Sequence, residues 1–179
     1  MLLFPYPTKD LARIEVQRDP VCARMREAEQ SALIDGAWGF GRVAGRTWLP
    51  AGEASAAAWE VAVQEVGARV RHDDRGLAAW GGFVGEYDPS TATIVLHEGA
   101  LRQWEEETGI DRTAARRIAL AHEFFHHLDC SGRVLPWSSV RMPDRRLTRL
   151  IPSRGRPRGV LEACAHGFAS IALDPGEAG

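Results

Sequence analysis

The spacing of apolar residues changes between helical and strand-like periods along the chain, and these changes predict most of its elements. Ala, Glu and Gln dominate ASAAAWEVAVQEVGA, which predicts a helix closed by Gly67. The segment EGALRQWEEETG predicts a helix that ends at Gly109. DRTAARRIALAHEFFHHLDC predicts another, which begins at the N-cap residue Asp111 and ends before Gly132. A last helix, RGVLEACAHGFASIAL, is expected to stop at Asp174.

A strand-like alternation occupies the stretch GGFVGEYDPSTATIVLHEGAL. Its turn residues Asp88 and Pro89 divide it into two predicted strands. In the second strand, one face carries Thr91, Thr93, Val95 and His97, and the other carries Ala92, Ile94 and Leu96. This alternation predicts a strand half buried against helices. The order of helices, a small antiparallel sheet and further helices predicts an α+β fold.

The first fifty residues have the least regular pattern. Pro20 at a first helical position and Gly36 as a stop predict one helix. The following segment, WGFGRVAGRTWLPAGE, predicts turns and short strands. We therefore expect residues 1–50 to be an N-terminal extension of the same unit and residues 51–179 to form the main domain.

Composition narrows the class of protein. A chain of 179 residues has the size of one domain, and a hydrophobic content of 45% is enough for a core. The net charge of −2 produces no global field toward nucleic acid or a membrane. Three cysteines are too few for a disulfide scaffold. Neither a signal-peptide pattern nor a run of about eighteen apolar residues occurs, so we expect a cytoplasmic protein.

The clearest chemical pattern is His-Glu-x-x-His at His122, Glu123 and His126, on a predicted helix. Positions i and i+4 lie on one helix face, so both imidazoles can reach one Zn²⁺ ion at about 2.0–2.1 Å. Glu123 lies about 100° round the helix, where it can hold a metal-bound water and take its proton. The alternative is an ordinary helix whose histidines make other hydrogen bonds. The motif shares a buried-type stripe with three apolar residues, Ala115, Ile118 and Ala119, which favours the metal.

A catalytic zinc site needs a third protein ligand and one open position. Glu162 is the candidate, because a carboxylate among apolar neighbours is rarely buried unless it is paired or bound to a metal. Small residues on its helix face would let that helix approach the histidine-bearing helix closely: Gly159, Ala165 and Ala169. The alternative is a surface glutamate. Asp129, one turn beyond His126, is better placed to orient a histidine than to bind the ion.

The segments LAHEFFHHL and EACAHGFASIALDP together resemble the motifs of the ImmA/IrrE-type zinc metallopeptidases, a gluzincin group. The matching positions after the first motif are Glu162, Ala165, Phe168, Ala169 and Pro175, and GEYDPSTATIVL is similar to the hairpin of that family. The resemblance covers about residues 55–175. It implies a zincin-like fold, ligands at His122, His126 and Glu162, and Glu123 as the general base. It also implies a regulatory protease that cleaves or disables a repressor.

The chain departs from this family at His166, where Asn or Asp is usual. A histidine there has three possible roles: a supporting partner for a ligand, an oxyanion donor, or a fourth ligand that closes the site. Tyr87, His72 and His97 are further candidates for the oxyanion donor. The strand Thr91–His97 is predicted to be an edge strand that aligns a substrate by β-addition.

Three functions follow as hypotheses. The first is a zinc-dependent endopeptidase whose substrate is a protein, such as a DNA-binding repressor. The second is a metal-bound regulatory module without turnover, closed by His166 or a cysteine. The third is a nucleic-acid-binding factor that uses residues 131–158, which hold eight arginines and one acidic residue. The overall charge of −2 favours the first over the third.

Overall fold

A computed structural model describes residues 6–50, 55–74, 84–140 and 157–173. It confirms an α+β fold of helices around a small sheet. The helices are α1 (Lys9–Arg18), a short 3₁₀ turn (Cys22–Arg24), α2 (Glu27–Trp48), α3 (Ala56–Glu65), α4 (Glu98–Thr108), α5 (Arg112–Cys130), α6 (Pro136–Ser139) and α7 (Arg158–Ser170). The strands are β1 (Arg69–Asp73), β2 (Gly85–Asp88) and β3 (Thr93–His97). Across these ranges, no helix has the length and apolar character that crossing a bilayer requires.

The three strands form a mixed sheet in the order β1-β3-β2. β2 and β3 pair antiparallel, as predicted, and Asp88 closes their turn by accepting the Ser90 amide at 2.9 Å. β1 pairs parallel to β3, so the prediction of a purely antiparallel sheet is wrong. The sequence RVRHD of β1 carries mostly charged side chains, so it has no apolar alternation to reveal a strand.

β3 is the central strand, and both of its faces are buried from Ile94 to His97. The prediction of a half-buried strand is wrong, because the side chains of both neighbouring strands flank those on the second face of β3. Val95, for example, lies in register between Arg71 and Glu86. A central strand has no free edge, so the prediction that Thr91–His97 aligns a substrate is also wrong.

Helix α2 is one element of 22 residues that runs through Gly36. The predictions of a stop at Gly36 and of turns with short strands beyond it are therefore wrong. Two glycines of α2 allow close contact with α7 and the residue after it: a Cβ at Gly41 would overlap the Cys164 carbonyl oxygen, and one at Gly45 would lie 2.8 Å from Ile171 Cγ1. Tertiary packing overrides the low helix propensity of glycine here.

Helix α7 lies at the centre of the molecule, in contact with α1, α2 and α5. From Gly159 to Ser170, its side chains are buried except at Leu161 and Glu162, which are half buried. The close approach predicted for Gly159 occurs, but toward α1 rather than α5, since a Cβ there would overlap the Glu15 carbonyl oxygen. The predicted stop at Asp174 lies outside the described residues.

A buried carboxylate ties α4 to α5 and β1. Glu98 accepts hydrogen bonds from Arg112 at 2.6 Å, Arg116 at 2.9 Å and His72 at 2.7 Å. Burial alone would raise the pKa of Glu98, but these hydrogen bonds outweigh it and lower the pKa to about 2. The ionised form of Glu98 therefore stabilises the folded state.

We predict that Glu98→Gln lowers the free energy of unfolding by on the order of 2–3 kcal/mol at neutral pH. Because the folded pKa lies below the unfolded value, this contribution is full above about pH 4.5 and is lost as the pH falls through about 2. Urea unfolding of both proteins over this pH range measures it. A difference that stays constant down to pH 2 would contradict the assignment.

We also predict different effects for alanine substitutions at two glycines of α2. Gly41→Ala should destabilise the protein by about 3 kcal/mol or more, because its methyl group meets α7 backbone that cannot move aside. Gly39→Ala is the matched control, since a Cβ at Gly39 has no atom within 4 Å. This control should be neutral or stabilising by about 0.5–1 kcal/mol in chemical denaturation. Equal effects of the two substitutions would argue against the close α2–α7 contact.

Candidate metal centre

Helices α5 and α7 bring three predicted ligands together. His122 Nε2 lies 3.1 Å from Glu162 Oε2 and 3.3 Å from His126 Nε2. His126 Nε2 lies 3.5 Å from the same carboxylate oxygen. The two imidazoles come from one face of α5, as the i, i+4 spacing predicted, and the carboxylate comes from the distant helix α7. This group could hold a metal ion.

The spacing of these donor atoms fits a four-coordinate ion. Ligand atoms bound tetrahedrally at about 2.0–2.1 Å are separated by about 3.3–3.4 Å. The three separations observed here, 3.1, 3.3 and 3.5 Å, lie around that value. Two imidazoles and one carboxylate form three corners of such a site, and the fourth remains for water or a substrate.

The electrostatics of the group favour a bound cation. Burial alone would raise the pKa of Glu162, but hydrogen bonds with His122 and His126 lower it well below its usual range. Burial would lower the pKa of His122, yet the hydrogen bond to Glu162 and the charge of Glu123 raise it. The negative charges of Glu162 and Glu123 thus favour positive charge at this place, and a bound divalent cation would replace the proton of His122.

Arg158 orients the Glu162 carboxylate. Its Nε donates to Oε1 at 3.3 Å, whereas Oε2 faces the two histidines. The two oxygens thus have separate partners, which favours coordination through one oxygen. The Arg158 side chain is 86% exposed, so this pair contributes geometry more than stability. Sequence reasoning missed this residue, although its i, i+4 spacing from Glu162 on the same helix could have revealed it.

Glu123 lies beside strand β2, and its charge acts on the ligand His122. A Cβ at Gly85 would stand 3.2 Å from Glu123 Cγ, so the glycine lets β2 pass close to this side chain. Within the part of the chain that the structure describes, no strand pairs with the outer edge of β2. Glu123 is therefore adjacent to both the metal ligands and a strand edge. The isolated glycine at the start of the strand was the available sequence signal.

The structure does not bring His97 to the metal ligands. The register places His97 with Val95 and Glu86 on one face of the sheet, and its Nε2 lies 3.9 Å from Glu86 Oε1. Gly85 and Tyr87 lie on the other face, which meets α5. The suggested oxyanion role therefore does not fit His97. His72 bonds Glu98 and Glu60 instead.

Tyr87 forms a hydrogen bond with His127, which is not one of the three candidate metal ligands. His127 Nε2 donates to the Val66 carbonyl oxygen at 3.3 Å, so in the neutral ring Nδ1 accepts from the Tyr87 hydroxyl at 3.1 Å. His127 is buried and joins the end of α3, strand β2 and α5. This arrangement gives His127 a structural role, and the oxyanion role of Tyr87 stays a prediction.

His166 packs against a ligand but is not among the donor atoms of the group. Its ring centroid lies 4.8 Å from that of His122, and the ring is 4% exposed. Burial and the positive charge of His122 lower the pKa of His166 to about 3, so its ring is neutral. This position fits a supporting partner of His122 better than a fourth ligand.

Two further acidic residues lie near residues of α7. Burial raises the pKa of the Cys164 thiol, and the negative charge of the nearby Asp129 raises it further. The role of Asp129 in orienting a histidine stays a prediction. Glu15 of α1 was not predicted: burial and then the nearby charge of Glu162 raise the pKa of Glu15. Nothing in the sequence of α1 indicated this proximity.

Part of the predicted chemistry lies outside the described residues. This holds for Pro175 and for six of the eight arginines between residues 131 and 158, which are Arg141, Arg145, Arg146, Arg149, Arg154 and Arg156.

Comparisons with family models, with curated proteins and with solved structures found no match to this chain. The geometry of the site is therefore the main evidence for function.

We predict that Zn²⁺ stabilises the wild-type protein by about 2.7 kcal/mol at a free concentration 100 times its Kd. Glu162→Gln should lose most of this gain, because the amide removes the anionic ligand. Glu86→Gln is the control, since Glu86 lies on the opposite sheet face. Thermal unfolding with and without the ion measures the effect. An undiminished zinc shift in Glu162→Gln would rule out this carboxylate as a ligand.

Proposed function

We propose that the chain is a zinc-dependent endopeptidase with a zincin-like arrangement of its site. The observation that carries this proposal is the triangle formed by His122 Nε2, His126 Nε2 and Glu162 Oε2. Glu123 follows His122 directly on α5. Two imidazoles and a carboxylate are a ligand set that catalytic zinc sites use. The nitrogen donors favour zinc over Mg²⁺ or Ca²⁺, which prefer oxygen ligands.

Zinc bound at this site would lower the pKa of water to about 7 and polarise the scissile carbonyl group. His122, His126 and Glu162 would hold the ion. Glu123 would accept the proton of the attacking water and pass it to the leaving amine. The Cγ of Glu123 lies beside Gly85, so this side chain is next to the edge strand β2.

Strand β2 offers the surface on which a polypeptide substrate would align. It lies at the edge of the sheet and passes Glu123 at Gly85. An extended peptide added to this edge would gain main-chain hydrogen bonds that do not depend on its sequence. This role replaces the one expected for the central strand β3.

The identity of the substrate rests on the resemblance to the ImmA/IrrE-type metallopeptidases. That resemblance supports a regulatory protein, such as a DNA-binding repressor, as the target, and a cytoplasmic location for the reaction. The rival module without turnover needs a closed site, and His166 supplies no donor atom to the metal-holding group. For this reason we favour a catalytic site.

We predict that the purified protein contains about one zinc ion per chain and cleaves peptides in a proteome-derived library. Glu123→Gln should keep the zinc and lower the cleavage rate by about 10²–10⁴-fold, because it removes the proton acceptor and leaves the ligands intact. Metal analysis and mass spectrometry of the products measure both. Glu106→Gln, on the exposed face of α4, is the control.

The rival functions give different results in the same experiment. Zinc binding without cleavage by the wild type, or cleavage unchanged in Glu123→Gln, would exclude the proposed mechanism and favour the module without turnover. Strongly salt-dependent DNA binding without cleavage, lost when Arg145, Arg146 and Arg149 are neutralised, would favour the nucleic-acid-binding factor, in which the zinc is structural.

A further inference from the structure

The helix that carries Glu162 begins without a cap of its own. α7 starts at Arg158, and the preceding Pro157 provides no side-chain hydrogen bond to the first turn. The first amide groups of a helix have no partner within the helix, so a buried helix start needs an acceptor from elsewhere. Asp19 supplies it: its Oδ2 accepts the Gly159 amide at 3.0 Å in a buried hydrogen bond.

The same carboxylate also closes the end of α1. Asp19 Oδ1 accepts the amides of Val21 at 2.9 Å and Cys22 at 3.2 Å. Asp19 is 8% exposed, and both of its oxygens are in use. Its negative charge lies at the N-terminal end of α7, where the helix dipole favours an anion. One side chain thus joins the end of α1 to the start of α7.

The backbones of the two helices meet at the same place. Any Cβ at Gly159 would overlap the Glu15 carbonyl oxygen, so the first turn of α7 lies directly on α1. Glu162 follows Gly159 by three residues, which is less than one helical turn. A shift in the first turn of α7 would therefore move the Glu162 carboxylate relative to His122 and His126.

We propose that α1 completes the metal centre and that Asp19 is a positioning residue for Glu162. This inference rests on the proposed zinc site and adds that ion affinity depends on a residue with no contact to any ligand. Residues 6–50 then act as the support that fixes the third ligand. A ligand distance must be held within about 0.2 Å, so even a small displacement of α7 weakens binding.

Asp19→Asn is the sharpest test, because an amide has one oxygen where the carboxylate has two. If the side-chain oxygen of this variant still accepts the hydrogen bonds of the Val21 and Cys22 amides, its side-chain NH₂ group faces the Gly159 N–H. Both groups are donors, so no hydrogen bond can form between them. We expect the zinc Kd, measured by competition with a chelator, to rise about 10–100-fold. Asp19→Ala should show an effect at least as large.

Ser55→Ala is the matched control. Ser55 caps α3 by accepting the Ala58 amide at 3.2 Å, and α3 carries no ligand. We expect this variant to lose thermal stability but to change the zinc Kd less than about twofold. The comparison separates loss of a helix cap in general from loss of the cap that positions Glu162.

Hydrogen exchange of the Gly159 amide in chelator-treated protein checks the cap without metal or activity. Exchange should accelerate in Asp19→Asn and stay unchanged in Ser55→Ala. If the wild type binds zinc and Asp19→Asn binds it equally tightly, or if Ser55→Ala weakens binding as much, the inference is wrong and the proposed function stands. If the wild type binds no zinc, the proposed function itself fails, and the role of Asp19 fails with it.

Discussion

The carboxylate of Glu162 is the constraint on which the site depends. It projects from a helix that is otherwise almost entirely buried, and an ionised carboxylate in such surroundings is costly unless positive charge compensates it. His122 and His126 provide that compensation from α5, at separations that also suit a shared cation. The interaction that makes burial of Glu162 tolerable is thus the same one that assembles a candidate metal centre.

Helix α7 is held by contacts between helix backbones, which any side chain at the contact positions would prevent. Glycines at Gly41, Gly159 and Gly167 bring the backbone of α7 into direct contact with α1 and α2, and α7 also packs against α5. Close packing of this kind permits little adjustment, and interiors transmit displacement instead of absorbing it. The N-terminal helices therefore belong to the structural basis of the site, although none of the three ligands comes from them.

The sheet contributes to the site through its contact with α5. β3 is enclosed by strands on both edges, whereas β2 lies at the border and passes Glu123 at Gly85. His127 fixes this border by linking Tyr87 of β2 to the end of α3. A strand edge next to a candidate proton acceptor and a metal-holding group would suit hydrolysis of an extended polypeptide, which is why we favour a peptidase.

The sequence by itself determined the features that depend on neighbours along the chain. The capped start of α5 at Asp111, the end of α4 at Gly109, the hairpin at Asp88 and the i, i+4 pair of histidines follow from local backbone geometry. The apolar surroundings of Glu162 also pointed to a partner for this carboxylate. Only the tertiary structure decided the continuous α2, the parallel strand β1, the edge position of β2 and the contact of Asp19 with Gly159. Each of these depends on groups far apart in sequence, where a glycine that suggests a turn can instead allow two helices to touch.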